Sequence, residues 1–185
     1  MPYTGIDHFI ARMRFRAAYP YIRPGARVCD LGCGLEAGFL DYASDRIAMG
    51  VGVDDQVEEG VRGRRWQRVR ADLRAPLPFP DGHFDHVVML AVLEHLTEPE
   101  KVLREAYRIL APEGSLILTW PSAMVDPILR VLHALHLISD EMESDEHQKR
   151  IPVEALQQML LRIGFKKFIH RRFELGINNL MVAFR

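Results

Sequence analysis

Between residues 27 and 120 short apolar runs alternate with helix-like stretches, and this alternation constrains the fold more than any other feature of the chain. The runs are Arg27-Val28-Cys29-Asp30-Leu31, residues 47–53, residues 66–70, Phe84-Asp85-His86-Val87-Val88-Met89-Leu90 and residues 115–120. Each has strand length, and turn residues set several of them off, as Pro24-Gly25 does ahead of the first. Helices are predicted over residues 35–46 and from Pro99, at a first helical turn, to residue 110. A short helix and loop are expected before the third run. The segment Pro76-Leu77-Pro78-Phe79-Pro80-Asp81-Gly82 is neither helix nor central strand, because its prolines lack amide donors and Asp-Gly turns the chain. Pro112-Glu113-Gly114 reads as a turn into the fifth run. Strands and helices in this order predict a parallel sheet wound on both faces.

The two ends differ from this middle. Residues 7–19 read as a helix with apolar and basic residues closed by Pro20, and residues 1–24 as an N-terminal helical cap. After the fifth strand, Asp126 and Pro127 look like a helix N-cap and N1 pair ahead of an apolar stretch over 128–138. Acids follow at Asp140, Glu141, Glu143, Asp145 and Glu146, so residues 126–150 read as a lid inserted over the sheet edge. A helix from Pro152 to residue 163 ends at Gly164 as its C-cap. Two last strands, 165–173 and 178–184, are joined so briefly that they must be antiparallel.

At 185 residues and 48% hydrophobic the chain fits one domain with one core. A net charge of -1 disfavours nucleic acid as a partner. The local cluster Arg62, Arg64, Arg65, Arg68, Arg70 and Arg74 reads as a solvated helix and strand edge. Cys29 and Cys33 have no second Cys/His pair at ligand spacing, so neither a metal nor a disulfide framework is expected. The first eleven residues lack the apolar core of a signal peptide, and no stretch nears 18 uninterrupted apolar residues. A cytoplasmic protein without a membrane span is expected. Oligomeric state is left open.

In an open α/β sheet, ligands bind beyond the carboxyl ends of the strands. Here the first three strands end in acids: Asp30, Asp54 beside Asp55, and Asp72. Gly32-Cys33-Gly34 lets the backbone approach a ligand closely. Gly32-Cys33-Gly34-Leu35-Glu36-Ala37 also fits a relaxed dinucleotide-binding pattern. Three features favour a sulfonium-bearing nucleoside over a dinucleotide. Asp30 and Glu36 place negative charge around the turn, which a pyrophosphate resists and a cation does not. Asp72-Leu73 supplies a carboxylate and an amide suited to adenine. The chain closes on an antiparallel strand pair.

Val28-Cys29-Asp30-Leu31-Gly32-Cys33-Gly34 resembles the first motif of class I S-adenosylmethionine-dependent methyltransferases. Leu77-Pro78-Phe79 through Phe84-Asp85, then Val92-Leu93-Glu94-His95-Leu96, resemble the fourth-strand region of the methyltransferase type 11 group. Glu105-Ala106-Tyr107-Arg108-Ile109-Leu110-Ala111-Pro112-Glu113-Gly114 is similar to that group's entry into the fifth strand. The resemblance implies a Rossmann-like doubly wound α/β sheet of order 3-2-1-4-5-7-6 with strand seven antiparallel and helices on both faces. It implies S-adenosylmethionine as cofactor, with S-adenosylhomocysteine as product. Gly32, Cys33 and Gly34 would cradle the methionyl part, with Asp30 near its amino group. Asp54, with Asp55 beside it, would hold the ribose, Asp72 and Leu73 the adenine, and Leu90 and Ala91 would line the floor. The chain departs from the family where it has Glu36 in place of a third glycine.

Methyl transfer from a sulfonium needs in-line placement more than a catalytic side chain. A general base matters only when the acceptor must lose a proton, and Glu94, His95 and His147 are the candidates. His133 and His136 read as peripheral, Phe39 and Trp120 as core. Ala91-Val92-Leu93-Glu94 after the fourth strand is unlike an Asn-Pro-Pro-Tyr sequence, which disfavours DNA adenine, and has no Pro-Cys pair for attack on cytosine. A small-molecule acceptor is expected. The competing readings are a noncatalytic cofactor-binding module and a nicotinamide-dependent oxidoreductase.

Overall fold

A computed structural model describes residues 5–62, 65–122 and 151–185. The expected lid over 126–150, and His147 with it, lie outside the described residues. The chain opens on helix α1 (Gly5–Ala18), extended by a 3-10 turn over Tyr19–Tyr21 at Pro20. Strand β1 (Ala26–Leu31), helix α2 (Gly38–Tyr42) and strand β2 (Ile47–Asp54) follow. Then come β3 (Gly60–Arg62), β4 (Trp66–Arg70), β5 (Phe84–Leu90), a 3-10 turn at Leu93–His95, α3 (Pro99–Ile109) and β6 (Leu110–Pro121). After the undescribed segment the chain forms α4 (Val153–Ile163), β7 (Lys167–Phe173) and β8 (Asn178–Phe184).

The strands form one sheet in the order β3-β4-β2-β1-β5-β6-β8-β7. Setting aside the short β3, this is the expected 3-2-1-4-5-7-6 arrangement, with β8 antiparallel to both neighbours. Side chains alternate across it as strand geometry requires. Cys29, Val87, Met89, Leu116, Leu118 and Trp120 face α3 and α4. Val28, Val88, Ile117, Leu180 and Val182 face α1 and α2, where Phe39 and Leu40 are fully buried. Phe39 and Trp120 are core residues, as expected. Gly164 caps α4 at φ 126, its amide donating to Leu160 and Leu161.

Three elements depart from expectation. The helix predicted over 35–46 is confined to Gly38–Tyr42, because Ala37 adopts a left-handed φ of 47 and its amide turns back to the Gly34 carbonyl. That loop packs on Gly52, where a Cβ atom would meet Cys33 Sγ at 2.8 Å and Ala37 Cβ at 3.3 Å. No helix occupies residues 55–59, and β3 pairs antiparallel with β4. Pro112-Glu113-Gly114 lies inside β6 as an irregularity in the β5–β6 ladder, with Glu113 at φ 60, rather than as a turn outside it.

At the opposite end of the sheet from the glycine turn, His86 is 3% exposed and accepts from the Arg23 amide through Nε2. Its other nitrogen, Nδ1, therefore carries the proton and donates to Ser115 Oγ at 2.8 Å. Burial, helped by the Arg23 charge, lowers its pKa from 6.5 to about 4. The unfolded chain binds a proton on this ring between those values and the folded chain does not, so this contribution is complete above pH 6.5 and lost on the way to pH 4. The destabilisation caused by His86→Gln should therefore shrink by about 3 kcal/mol between pH 7.5 and pH 4, measured by urea unfolding.

Candidate active site

The turn after β1 is built by glycines in backbone conformations that other residues resist: φ is 74 at Gly32 and 67 at Gly34. A Cβ on Gly32 would stand 2.5 Å from Val92 Cγ2, so the turn and the segment after β5 pack backbone against side chain. The first amides of the turn are already committed. Gly32 N–H and Cys33 N–H donate to the Val53 carbonyl at 2.7 and 3.2 Å, and Gly34 N–H donates to Asp54 Oδ2 at 3.0 Å. The other Asp54 oxygen accepts from Gln56 N–H at 3.0 Å. Asp54 thus ties the β1 turn to the end of β2. The three amides of Gly32-Cys33-Gly34 are therefore not free to hold a pyrophosphate, and α2 behind them is only 5 residues long.

A cleft of about 660 Å³ lies against this turn, lined by Asp54, Asp55, Asp72 and Leu73 on one side and Ala91 and His95 on the other. A second recess of about 730 Å³ shares Gly32, Gly34, Leu35, Ala91 and His95 with it and runs under α1, reaching Cys33, Leu90 and Glu94. The structure therefore gathers almost every expected site residue into one continuous groove. Asp30 lies beneath that groove, 3% exposed. Burial, and secondarily the Asp54 charge, push its carboxyl up to about 7. The Cys33 thiol contacts the Gly34 carbonyl at 3.4 Å and is pushed well above the thiol range, chiefly by burial. Asp72 is exposed and bound through both oxygens by Arg74, at 2.9 Å from Nε and 2.8 Å from the terminal nitrogen, which lowers its pKa. Arg74 therefore stands beside the proposed adenine contact. Glu36 is exposed at the mouth of the recess and belongs to the turn ahead of α2, not to its first helical turn.

Glu94 has its carboxyl raised by burial, against the opposing charges of His95 and Arg14. Sequence reasoning missed Arg14 and Phe15 of α1, which wall the recess. The basic character of that helix was visible, but not which of its residues turn inward. The arginine cluster is only partly a solvated edge. Arg68 is 8% exposed and donates to the Leu35 carbonyl at 2.7 Å, and Arg65 donates to the Ile47 carbonyl at 3.3 Å. Among the described residues no group of side chains is arranged to hold a metal, and no helix is long and apolar enough to cross a membrane.

Residues 4–168 match the family described as "Methyltransferase domain", so the chain belongs to that family and takes its place among the class I S-adenosylmethionine-dependent methyltransferases. The cofactor of that class is S-adenosylmethionine. A ubiquinone/menaquinone biosynthesis C-methyltransferase, UbiE, of Vibrio campbellii is 29% identical over 73% of this chain and 59% of its own length. The same enzyme of Ectopseudomonas mendocina is 28% identical over 89% of this chain and 74% of its own. The chain thus spans less than two thirds of the first of these relatives. An S-adenosylmethionine-dependent methyltransferase from Archaeoglobus fulgidus superposes with a TM-score of 0.69 at 17% identity, covering 96% of this chain and 94% of that one. A possible histamine N-methyltransferase from Thermotoga maritima gives 0.69 at 17% identity over 94% and 88%. These likenesses to solved structures establish the fold.

Gly32→Ala combines a positive φ with a clash against Val92, which should destabilise the fold by about 1–3 kcal/mol. A lower urea midpoint at unchanged slope is the expected result.

Proposed function

We propose that the chain transfers the methyl group of S-adenosylmethionine to a small-molecule acceptor by in-line displacement. The observation that carries this reading is the groove itself: carboxylates at successive strand ends, beside a glycine turn whose amides are spent on the protein. Such a site suits a cationic nucleoside and resists a pyrophosphate, which speaks against the nicotinamide alternative. The residues present fit the cofactor. Gly32, Cys33 and Gly34 bring the backbone against the methionyl portion, and Asp30 below them is a buried carboxyl that a neighbouring ammonium would hold ionised. Asp54 has lone pairs left for ribose hydroxyls beyond the two amides it accepts. Asp55 lies beside it. Asp72 and Leu73 face the adenine end, with Leu90 and Ala91 as floor. When bound, the cofactor supplies an electrophilic methyl group on a good leaving group. The protein's part is to align the acceptor and exclude water, with Glu94 or His95 available to take a proton. Glu36 is exposed where it lines the recess, which favours a competent cofactor site over a noncatalytic module. Nucleic acid is disfavoured as acceptor because Arg65, Arg68 and Arg74 are engaged within the fold.

The reading is tested by thermal shift. S-adenosylmethionine and S-adenosylhomocysteine should raise the melting temperature and NAD should not; stabilisation by NAD alone overturns it. Asp54→Ala should weaken S-adenosylhomocysteine by about 1.5–3 kcal/mol, and unchanged affinity in a folded variant removes Asp54 from the site.

Asp30 gives a pH signature. Its free carboxyl at about 7 must ionise to meet the ligand ammonium, so binding releases a proton below that pH. Affinity for S-adenosylhomocysteine, followed by calorimetry, should be flat above pH 7 and fall by up to about tenfold per pH unit below it. Asp30→Asn should abolish the slope.

A further inference from the structure

The recess of about 730 Å³ beneath α1 is the part of the groove that the cofactor residues do not account for. It shares Gly32, Gly34, Leu35, Ala91 and His95 with the cofactor cleft and so opens onto it. Two of the side chains that line it carry a buried atom without a hydrogen-bond partner: Arg14 at Nε and Glu94 at Oε2. Buried polar atoms are normally paired, so each of these is an exception that calls for a cause, and here both belong to the lining of one cavity. The Arg14 charge is felt at Glu94, where it opposes the effect of burial, yet a donor on one and an acceptor on the other stay unbonded. The place of Arg14 is fixed by its neighbour. Phe15 packs edge-on against Phe39, with ring centroids 5.7 Å apart, and lies 5.8 Å from Tyr42, which fastens this turn of α1 to α2. Ile10, Phe15 and Leu90 add apolar surface to the recess, and its exposed Arg12 and Glu36 carry opposite charges.

Arg14 Nε–H can only donate, and an ionised Glu94 can only accept. A ligand that completes both brings a lone pair and a hydrogen, and a hydroxyl brings the two on a single oxygen. An ammonium has no lone pair for Arg14 and meets a like charge there. A carboxylate has no hydrogen for Glu94 and meets a like charge in its turn. We propose that the methyl acceptor is a neutral hydroxyl compound with an apolar body, held by Arg14 Nε–H donating to its oxygen and by its O–H donating to Glu94 Oε2, and methylated on that oxygen. This rests on the methyl-transfer reading above and narrows it. In the reaction the hydroxyl proton passes to Glu94 Oε2. The oxygen lone pair forms the bond to the methyl carbon as the carbon–sulfur bond breaks, its electron pair staying on sulfur. The products are a methyl ether, a neutral thioether and one proton, which Glu94 then releases to solvent. Burial raises the Glu94 carboxyl and suits it to take that proton, while the charges of His95 and Arg14 act in the opposite sense. Arg14 Nε–H stabilises the negative charge that develops on the oxygen as the proton leaves.

The test uses the whole chain saturated with S-adenosylhomocysteine for calorimetry, and with methyl-labelled S-adenosylmethionine for turnover. Phenol and benzyl alcohol are compared with benzylamine and benzoate, which share the apolar ring and differ in the head group. At least one hydroxyl compound should bind and take the label on oxygen, and the amine and the carboxylate should not. Glu94→Gln keeps a carbonyl oxygen to accept the O–H but loses the base, so turnover should fall by about a hundredfold or more while affinity for the hydroxyl compound changes much less. Arg14→Met should weaken that compound by about tenfold. Because it removes a buried donor without a partner, it should leave the unfolding midpoint unchanged or higher, a result that a purely structural guanidinium would not give. If the cofactor binds but no hydroxyl compound binds or is labelled, the inference is wrong, and the cofactor site on which methyl transfer rests stands. Label on the amine, on the carboxylate or on a ring carbon also overturns it, with methyl transfer intact. Unchanged turnover in Glu94→Gln and unchanged affinity in Arg14→Met overturn it as well. If neither S-adenosylmethionine nor S-adenosylhomocysteine binds, the methyl-transfer reading fails, and the inference with it.

Discussion

The hydrogen bonds that the turn after β1 makes to the end of β2 determine what the rest of the site can be. Gly32 and Cys33 donate to one carbonyl and Gly34 to the Asp54 carboxylate, so the chain leaves β1 already fastened to its neighbour. The same bonds fix Asp54 at the rim and hold Ala37 and Cys33 down on Gly52. In a dinucleotide-binding turn the corresponding amides and the helix behind them would face a pyrophosphate. Here the amides of Gly32, Cys33 and Gly34 are bonded within the protein, the helix starts later and is a little over one turn long, and what faces the groove is negative. The choice between two cofactor classes that share a Gly-x-Gly pattern is made by where those hydrogens go.

That negative groove has a cost which the protein handles differently at each carboxylate. Asp72 is neutralised by Arg74 at the surface, where an ion pair contributes little to stability but lowers the local potential. Asp54 is satisfied by backbone amides. Asp30 has its carboxyl raised toward neutrality by burial instead. Groups left in such a state add nothing to folding by themselves and are better explained by a ligand that the folded chain receives. His86, at the other end of the same sheet, shows the contrast. It is equally buried and shifted, but both ring nitrogens are bonded within the protein, and it serves the fold alone.

Much of the fold and the cofactor half of the site was legible because both are written locally. Strand-length runs, acids at their ends and proline or glycine between them are read in windows of a few residues, and Asp30, Gly32, Asp54, Asp72 and Ala91 fall within one stretch of chain. The errors have local causes too. The α2 segment has a helical pattern, but its first residues are claimed by packing on Gly52, a tertiary demand that overrides propensity. β3 is three residues long and is held by its pairing with β4, not by any pattern of its own. The arginine run looks like a solvated edge because sequence does not show that Arg68 reaches back to the Leu35 carbonyl.

The acceptor half is a different kind of object. Arg14 of α1 and Glu94 of the segment after β5 are far apart in the chain and come to one recess only in the folded protein. In its own window each looks ordinary: a basic residue on a helix and an acid in a short turn. What distinguishes them is that each carries one buried atom without a hydrogen-bond partner, a property of the folded protein rather than of any segment. Substitution at such positions leaves the strand pattern and the glycine turn untouched, so a fold of this kind can change its acceptor while every motif that identifies its cofactor stays the same. Resemblance to a ubiquinone/menaquinone biosynthesis C-methyltransferase therefore carries over for the cofactor groove and not for the acceptor recess.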